Sequence, residues 1–466
     1  MQYLEQFVNS ASTALWSYIL IILLIGTGLL FSIKTQFMQF RYFGETIRLL
    51  TEGKTKRRGI SSFQAFCIST ASRVGSGNIA GVAIAIVSGG PGAVFWMWLI
   101  ALIGASSAFV ESVLAQIYKE RKDGAYVGGP AYYMQKGLKS HRLGIFFAVL
   151  ITVCYGLIFN AVQANTIGLA FVNAFSLHKE LTGILLAVFT AAVIFGGVRR
   201  VAQVAQVIVP VMALAYLLVV FYVIIQNIEI IPKIVFHILE NALGIKPAAG
   251  GALGAAIRQG IKRGLFSNEA GMGSAPNAAA TAEVSHPVKQ GLIQTLGVFT
   301  DTIVICSATA FLILISGSYL GGNFDGIELA QTALVSQVGN WGTYFIAFCI
   351  FLFAFSSVVG NYYYGESNIE FFHSGKKTLA LYRLAVVGMV VFGTIAKLQI
   401  VWDLADLFMG LMAMINIYAI IRLHPIAIKA FRNYQKQKKS GRDPTFYAED
   451  IEVWEGADCW SKITKA

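Results

Sequence analysis

Ser72-Arg73-Val74-Gly75-Ser76-Gly77-Asn78 stands in the middle of a segment, 61–89, that is otherwise apolar enough to cross a bilayer. Two glycines, a charge and two hydrogen-bonding side chains at that depth are poor helix material. Non-helical backbone survives in hydrocarbon only where protein buries it or where it lines a watery cavity. The stretch therefore reads as an unwound hinge inside a broken transmembrane helix, expected to hold a small solute and an ion.

Composition agrees with that setting. The 466 residues are 56% hydrophobic and 13% charged, with a mean hydropathy of +0.65, which places the chain among polytopic membrane proteins. A net charge of +12 would suggest nucleic acid in a soluble protein, but here its distribution matters more. No nucleic-acid partner is expected, and the bilayer is. The first apolar segment lacks the basic leader and small-residue cleavage site of a signal peptide, so it is read as mature protein. Cys67, Cys154, Cys306 and Cys349 fall in apolar segments and Cys459 in the tail, without metal spacing, and no disulfide is assigned. The six histidines are scattered, which disfavours a metalloenzyme.

A span needs about 20 largely apolar residues. That criterion predicts eleven transmembrane helices, at 15–33, 61–89, 92–118, 143–175, 181–197, 201–227, 252–280, 288–316, 340–369, 378–396 and 402–422. Placing the connections alternately on two sides puts 28 Lys and Arg on one side, including Lys54, Lys56, Arg57, Arg58, Arg199, Arg200, Lys462 and Lys465. Only Lys179, Lys233, Lys246 and Lys397 fall on the other. Basic loops are cytoplasmic, so the N-terminus is expected outside and the C-terminus in the cytoplasm of a multi-pass plasma-membrane protein.

A second interruption, Gly264-Leu265-Phe266-Ser267-Asn268-Glu269-Ala270-Gly271-Met272-Gly273-Ser274-Ala275-Pro276, lies five spans after the first. With 1–60 set aside as an extra helix and basic loop, 61–227 and 252–422 are two groups of five, each opening with a broken helix. The loop 228–251 joins them, and 423–466 is a cytoplasmic tail expected to lie along a surface. Groups of five must enter the membrane from opposite sides. Inverted repeats with matching discontinuous helices point to a transporter's binding site.

Breaking a helix exposes backbone N–H groups at a positive dipole end, which suits a carboxylate. Ser76, Gly77 and Asn78 are the expected donors, and carbonyls around Ala71 and Val74 are freed to replace water around a cation. The competing reading is close helix packing by small residues, which the second, matched break disfavours. Gln163 lies mid-span, as a substrate contact or an interhelical hydrogen bond. Ser356 and Ser357 offer hydroxyl oxygens to a cation or to their own helix. Glu111, Glu269 and Asp301 must face a cavity or a partner, with Arg73, Arg258, Lys262 and Arg263 as candidate counter-ions; structural or gating ion pairs are expected.

These residues resemble the alanine or glycine:cation symporter family. The likeness rests on 72–83, on Gly89-Gly90-Pro91-Gly92-Ala93 with Phe95-Trp96-Met97-Trp98, and on Gly128-Gly129-Pro130-Ala131-Tyr132-Tyr133. Phe266-Ser267-Asn268-Glu269-Ala270-Gly271 and Tyr362-Tyr363-Tyr364-Gly365-Glu366 extend it. The resemblance implies an all-α, leucine-transporter-like fold of ten core helices in a five-plus-five inverted repeat, here with one extra helix. It implies sodium-coupled uptake of a small neutral amino acid, with no cofactor. On this chain the substrate pocket falls on Gly75, Ser76, Gly77, Asn78, Gln163, Phe266, Ser267, Asn268, Val358 and Asn361. The implied sodium ligands are the Ala71, Val74 and Phe353 carbonyls and the Ser356 and Ser357 hydroxyls. Proton-coupled relatives of this fold place a lysine on the helix facing the sodium site, and 201–227 has none, which favours sodium over a proton-coupled symporter. Asn361 stands where many members carry tryptophan, a change expected to admit a longer polar substrate such as glutamine, or merely to repack. A channel would more naturally carry a repeated pore motif, and an enzyme a nucleophile–base constellation. A monomer or weak oligomer is expected.

Overall fold

The computed structural model describes residues 2–52, 60–122, 124–244, 250–321, 326–372, 375–452 and 455–461, without the side chains of 2–5, 197–200, 202 and 250–252. Of the cations in the charge count, Lys54, Lys56, Arg57, Arg58, Lys246, Lys462, Lys465 and the side chains of Arg199 and Arg200 lie outside the described residues.

The chain is a bundle of helices: α1 (Gln6–Lys34), α2 (Ser62–Arg73), α3 (Gly77–Gly89), α4 (Ala93–Ile117), α5 (His141–Phe175), α6 (Lys179–Ile194) and α7 (Gly197–Gln226). After α8 (Ile231–Ala242) come α9 (Gly250–Asn268), α10 (Ala275–Thr281), α11 (Pro287–Ser316) and α12 (Gly326–Val338). The order closes with α13 (Trp341–Phe372), α14 (Lys376–Ile395) and α15 (Leu398–Lys439).

Among the described residues, eight helices are long and apolar enough to cross a membrane, and α2 with α3 makes a ninth across a 52° bend. The count by length and composition is thus nine rather than eleven. The two expected spans that fall short are α6, whose 16 residues reach only ~24 Å, and α9, which carries Arg258, Lys262 and Arg263.

Apolar windows of α4, α5, α11 and α13 are 67% buried, whereas those of α7 and α14 are 28% buried. The first four therefore form the interior. The outer helices present Val188, Val211, Leu214, Leu218, Leu381 and Leu384 outward, a surface suited to hydrocarbon. Three π-helical turns, Gly77–Gly81, Cys154–Phe159 and Phe299–Cys306, fall in the interior where the two breaks meet.

The tail corrects an expectation. Instead of lying along a surface, it packs against the bundle, burying Phe446, Ile451 and Trp460.

Candidate functional site

The first broken helix starts with a capping box: Ser61 Oγ accepts from Gln64 N, and Gln64 Oε1 accepts from Ser61 N. It ends at Val74, whose backbone is extended (φ −80°, ψ 90°). Side chains collect the donors this releases. Gly75 N–H donates to Asn78 Oδ1 (2.9 Å), and Ser76 N–H to Gln163 Oε1 (2.8 Å). A Cβ on Gly75 would sit 2.2 Å from Ser357 Oγ and 2.8 Å from Gln163 Oε1, so only glycine fits.

Five oxygens gather at this ending. Ser357 Oγ lies 2.9 Å from Ala71 O, 3.3 Å from Val74 O and 3.1 Å from Phe353 O. Ser356 Oγ lies 2.8 Å from Phe353 O and 3.3 Å from Ala71 O. The serines sit on α13 and the first two carbonyls on the broken helix, so the set exists only because these helices touch. It contains no carboxylate. Hard divalent cations usually require carboxylate ligands, whereas neutral carbonyl and hydroxyl oxygens suit a monovalent ion. Facing it from α7 are Met212, its Sδ 3.6 Å from Ser356 Oγ, and Tyr216, which packs on Phe353.

At the second break, α9 ends on Asn268, and Glu269, Gly271 and Gly273 have φ of 59°, 83° and 86°. Glycine adopts this left-handed backbone freely, and Glu269 does not. Its carboxylate is held by Ser72 Oγ (2.9 Å) and Ser274 Oγ (2.6 Å), which ties the second break to the first. Glu111 of α4 accepts from Gly271 N (3.2 Å), Gly273 N (3.1 Å) and Asn416 Nδ2 (2.7 Å). The Phe266 ring lies 4.7 Å from both Phe159 and Trp402. A Cβ on Gly77 would come within 2.9 Å of that ring, so both breaks share one wall.

Other named residues take structural partners. Ser267 Oγ donates to Asp301 Oδ2 (2.7 Å), and Asn268 bonds Ala270 N (3.0 Å) and Thr302 Oγ1 (3.3 Å). Val358 is buried on α13 beside Ser357. Asn361 is fully buried, with Oδ1 2.7 Å from Ser72 Oγ and Nδ2 without a partner. Ser72 has one proton and faces two acceptors, Asn361 Oδ1 and Glu269 Oε1. Turning the Asn361 amide over would satisfy both contacts and leave its oxygen free instead. In either orientation one end of this amide is unpaired.

Among the described residues no ion pair forms with Glu111, Glu269 or Asp301; N–H and O–H donors hold all three carboxylates. Arg73 is 2% exposed, yet it bonds only Gln294 O (3.3 Å), leaving Nε and Nη2 unpaired. A buried ion pair centres instead on Asp406, which binds Arg263 and Lys262 (2.8 Å for the latter). Sequence reasoning passed over Asp406; the available signal was a pair of carboxylates, Asp403 and Asp406, at the start of an apolar segment. It also passed over Thr302 and Asn416, whose types are common in any helix.

Two unwound helices that meet inside an apolar bundle, with backbone and hydroxyl groups turned on one another, are the arrangement of a membrane transporter's binding site. The chain belongs to the sodium:alanine symporter family, whose model matches residues 1–448. It is similar to the probable sodium/glutamine symporter GlnT of Bacillus subtilis (strain 168), 53% identical over 461 residues covering 98% of this chain and 96% of that one. The amino-acid carrier protein AlsT of the same organism is 55% identical over 458 residues, 98% of each chain. The sodium/alanine symporter AgcS of Methanococcus maripaludis is 36% identical over 445 residues, 92% of this chain and 98% of that one.

Proposed function

We propose that this protein is a sodium-coupled symporter that imports a small neutral amino acid of the alanine and glycine class, glutamine included, by alternating access. The observation that carries this reading is the convergence of the Ala71, Val74 and Phe353 carbonyls with the Ser356 and Ser357 hydroxyls, a neutral oxygen set at a helix break. Sodium is a co-substrate here and no cofactor takes part.

On this reading the cation pulls α13 onto the first break and fixes the hinge. The amino acid's carboxylate binds at the N-terminal end of α3, on the Ser76 and Gly77 amides, where the dipole is positive. Gln163 Oε1 occupies the Ser76 N–H in the same manner, and it swings aside as the carboxylate arrives. Gly75, Asn78, Phe266, Ser267, Asn268 and Val358 shape the remaining walls. The unpaired amide of Asn361 meets the polar end of a glutamine side chain, in keeping with the similarity to a protein named a sodium/glutamine symporter. Sodium and substrate then raise each other's affinity by equal factors.

The architecture we assign is leucine-transporter-like, with α6 and the α9–α10 pair counted as spans for a total of eleven. The repeats are 61–227 and 252–422, with the N-terminus outside and the C-terminus in the cytoplasm. Uptake into proteoliposomes tests the function. Labelled alanine, glycine or glutamine should accumulate under an imposed sodium gradient and stop when that gradient is collapsed. Equal uptake under potassium, or accumulation driven by a proton gradient alone, overturns the reading.

A further inference from the structure

A chain of contacts reaches the candidate substrate pocket from α1, which precedes both broken helices. Trp16, 1% exposed, donates its Nε1–H to Asp406 O of α15 (3.0 Å), across 390 positions. One turn further along α15, a Cβ on Gly410 would sit 2.2 Å from Leu15 Cδ2, so glycine lets the two helices close at this height. The second half of α1 is held by α4, where Ser106 Oγ donates to Gly28 O (2.8 Å). Anchored there, α1 fixes the turn of α15 that carries Asp406.

That turn matters because of what Asp406 holds. Its carboxylate takes both Arg263 and Lys262 of α9. Arg263 and Phe266 stand three apart on α9, and Trp402 and Asp406 four apart on α15, so each pair shares one helix face. The two faces meet in two layers. Charges meet in one, and in the other the Phe266 and Trp402 rings lie 4.7 Å apart. Arg263 belongs to both, its Cζ standing 4.6 Å from the centre of the Trp402 ring. The start of α3 lies against this wall. A Cβ on Gly77 would meet Phe266 at 2.9 Å, and one on Gly81 would meet Trp402 at 3.6 Å and Arg263 Cδ at 4.0 Å.

We propose that Trp16 is a positioning residue for substrate binding. It fixes the Asp406 turn, Asp406 fixes Arg263, and Arg263 sets the Phe266–Trp402 wall against the α3 amides that take the substrate's carboxylate. The proposal rests on the substrate reading above. A buried ion pair is favourable only in close geometry, so a small displacement of the Asp406 turn is felt at the guanidinium. An indole that only filled space would act through its ring and not its N–H, and its effect would not depend on Asp406.

A double-mutant cycle on the purified full-length protein tests this. Trp16→Phe should raise alanine's dissociation constant, measured by calorimetry in saturating sodium, about fivefold, the worth of roughly one net hydrogen bond. Sodium binding measured without alanine should stay as in the wild type, because the five gathered oxygens lie at the end of α2 and on α13. A general loosening of the bundle would weaken both. In an Asp406→Asn background, Trp16→Phe should add nothing further. A full fivefold weakening in that background overturns the proposal, as does a matching loss of sodium binding in Trp16→Phe alone. Where Asp406→Asn does not fold, Arg263→Lys is the second background, with the same expectation and the same overturning result; it keeps a cation beside Asp406 but loses the flat group on Trp402. Wild-type alanine affinity in Trp16→Phe removes the role of Trp16 and leaves the substrate reading standing. A wild-type protein that binds no alanine, glycine or glutamine overturns both.

Discussion

Asn78 Nδ2 donates to Asp301 Oδ1 at 2.6 Å, across 223 positions of sequence, while Asn78 Oδ1 accepts the Gly75 N–H. One side chain thus shapes the first hinge and fastens it to the π-helical turn of α11. Asp301 takes two more donors, Ser267 Oγ (2.7 Å) and Thr302 Oγ1 (2.8 Å), so it joins both breaks through a single carboxylate.

Asp301→Asn replaces two acceptor oxygens with one and adds a competing donor. At least one buried donor then lacks a partner, at a cost of about 1–3 kcal/mol. Alanine should bind roughly 5- to 150-fold more weakly to the purified variant by calorimetry. An unchanged dissociation constant would show that the carboxylate does not set the hinge.

Ser357→Ala removes one of the five gathered oxygens but no substrate contact. The sodium concentration for half-maximal uptake should rise about tenfold, the effect of losing about 1.4 kcal/mol of ligand interaction. The alanine-to-glycine preference should hold. Sodium activation curves that superimpose on the wild type would count against this ion site.

Gly75→Ala places a methyl group where Ser357 Oγ and Gln163 Oε1 already stand. Because one clash reaches both neighbours, sodium and alanine affinities should fall together, whereas Ser357→Ala acts first on sodium. Gly26→Ala is the control, since a Cβ there meets nothing within 4 Å. In a helix interior it should be neutral, or stabilising by up to about 1 kcal/mol in thermal denaturation.

Asn361→Leu keeps the number and branching of side-chain heavy atoms and removes the unpaired amide. Glutamine should then compete poorly against labelled alanine uptake, with alanine's own half-saturation little changed. Equal competition by glutamine in variant and wild type would mean that Asn361 only fills space.

Glu45, in the short helix Phe43–Leu50, gives the pH dependence a sign. Burial pushes its carboxyl up, but bonds from Arg48, Lys438 and Tyr434 outweigh that and hold it at about 2, against 4.5 when free. Its folded value lies below its unfolded one, so its stabilisation is complete above pH 4.5 and is lost as pH falls towards 2. Melting curves of wild type and Glu45→Gln should differ at pH 7 and converge in acid.

Much of the site was legible because its signals are local. Glycines and amides inside an apolar run stand out whatever surrounds them, and they marked 72–78 and 264–276 before any contact was known. Partners were not legible in this way. Arg263 could have paired with any of several carboxylates, and it is helix packing that sets it against Asp406, 143 positions away. The tail was misread for a related reason. Its aromatic and acidic residues would suit a membrane surface equally well, and only the positions of Gln116 and Ser285 made a better partner of the protein itself.

By itself the sequence determined that this chain lives in a bilayer, where its spans must break, and which family it resembles. Those properties follow from how each short segment partitions between water and hydrocarbon. The tertiary structure alone decided which freed backbone groups meet, that Asp301 and Glu269 each connect the two breaks, and that the tail packs against the bundle. These are contacts between distant segments, and their free energy exists only once the helices have packed.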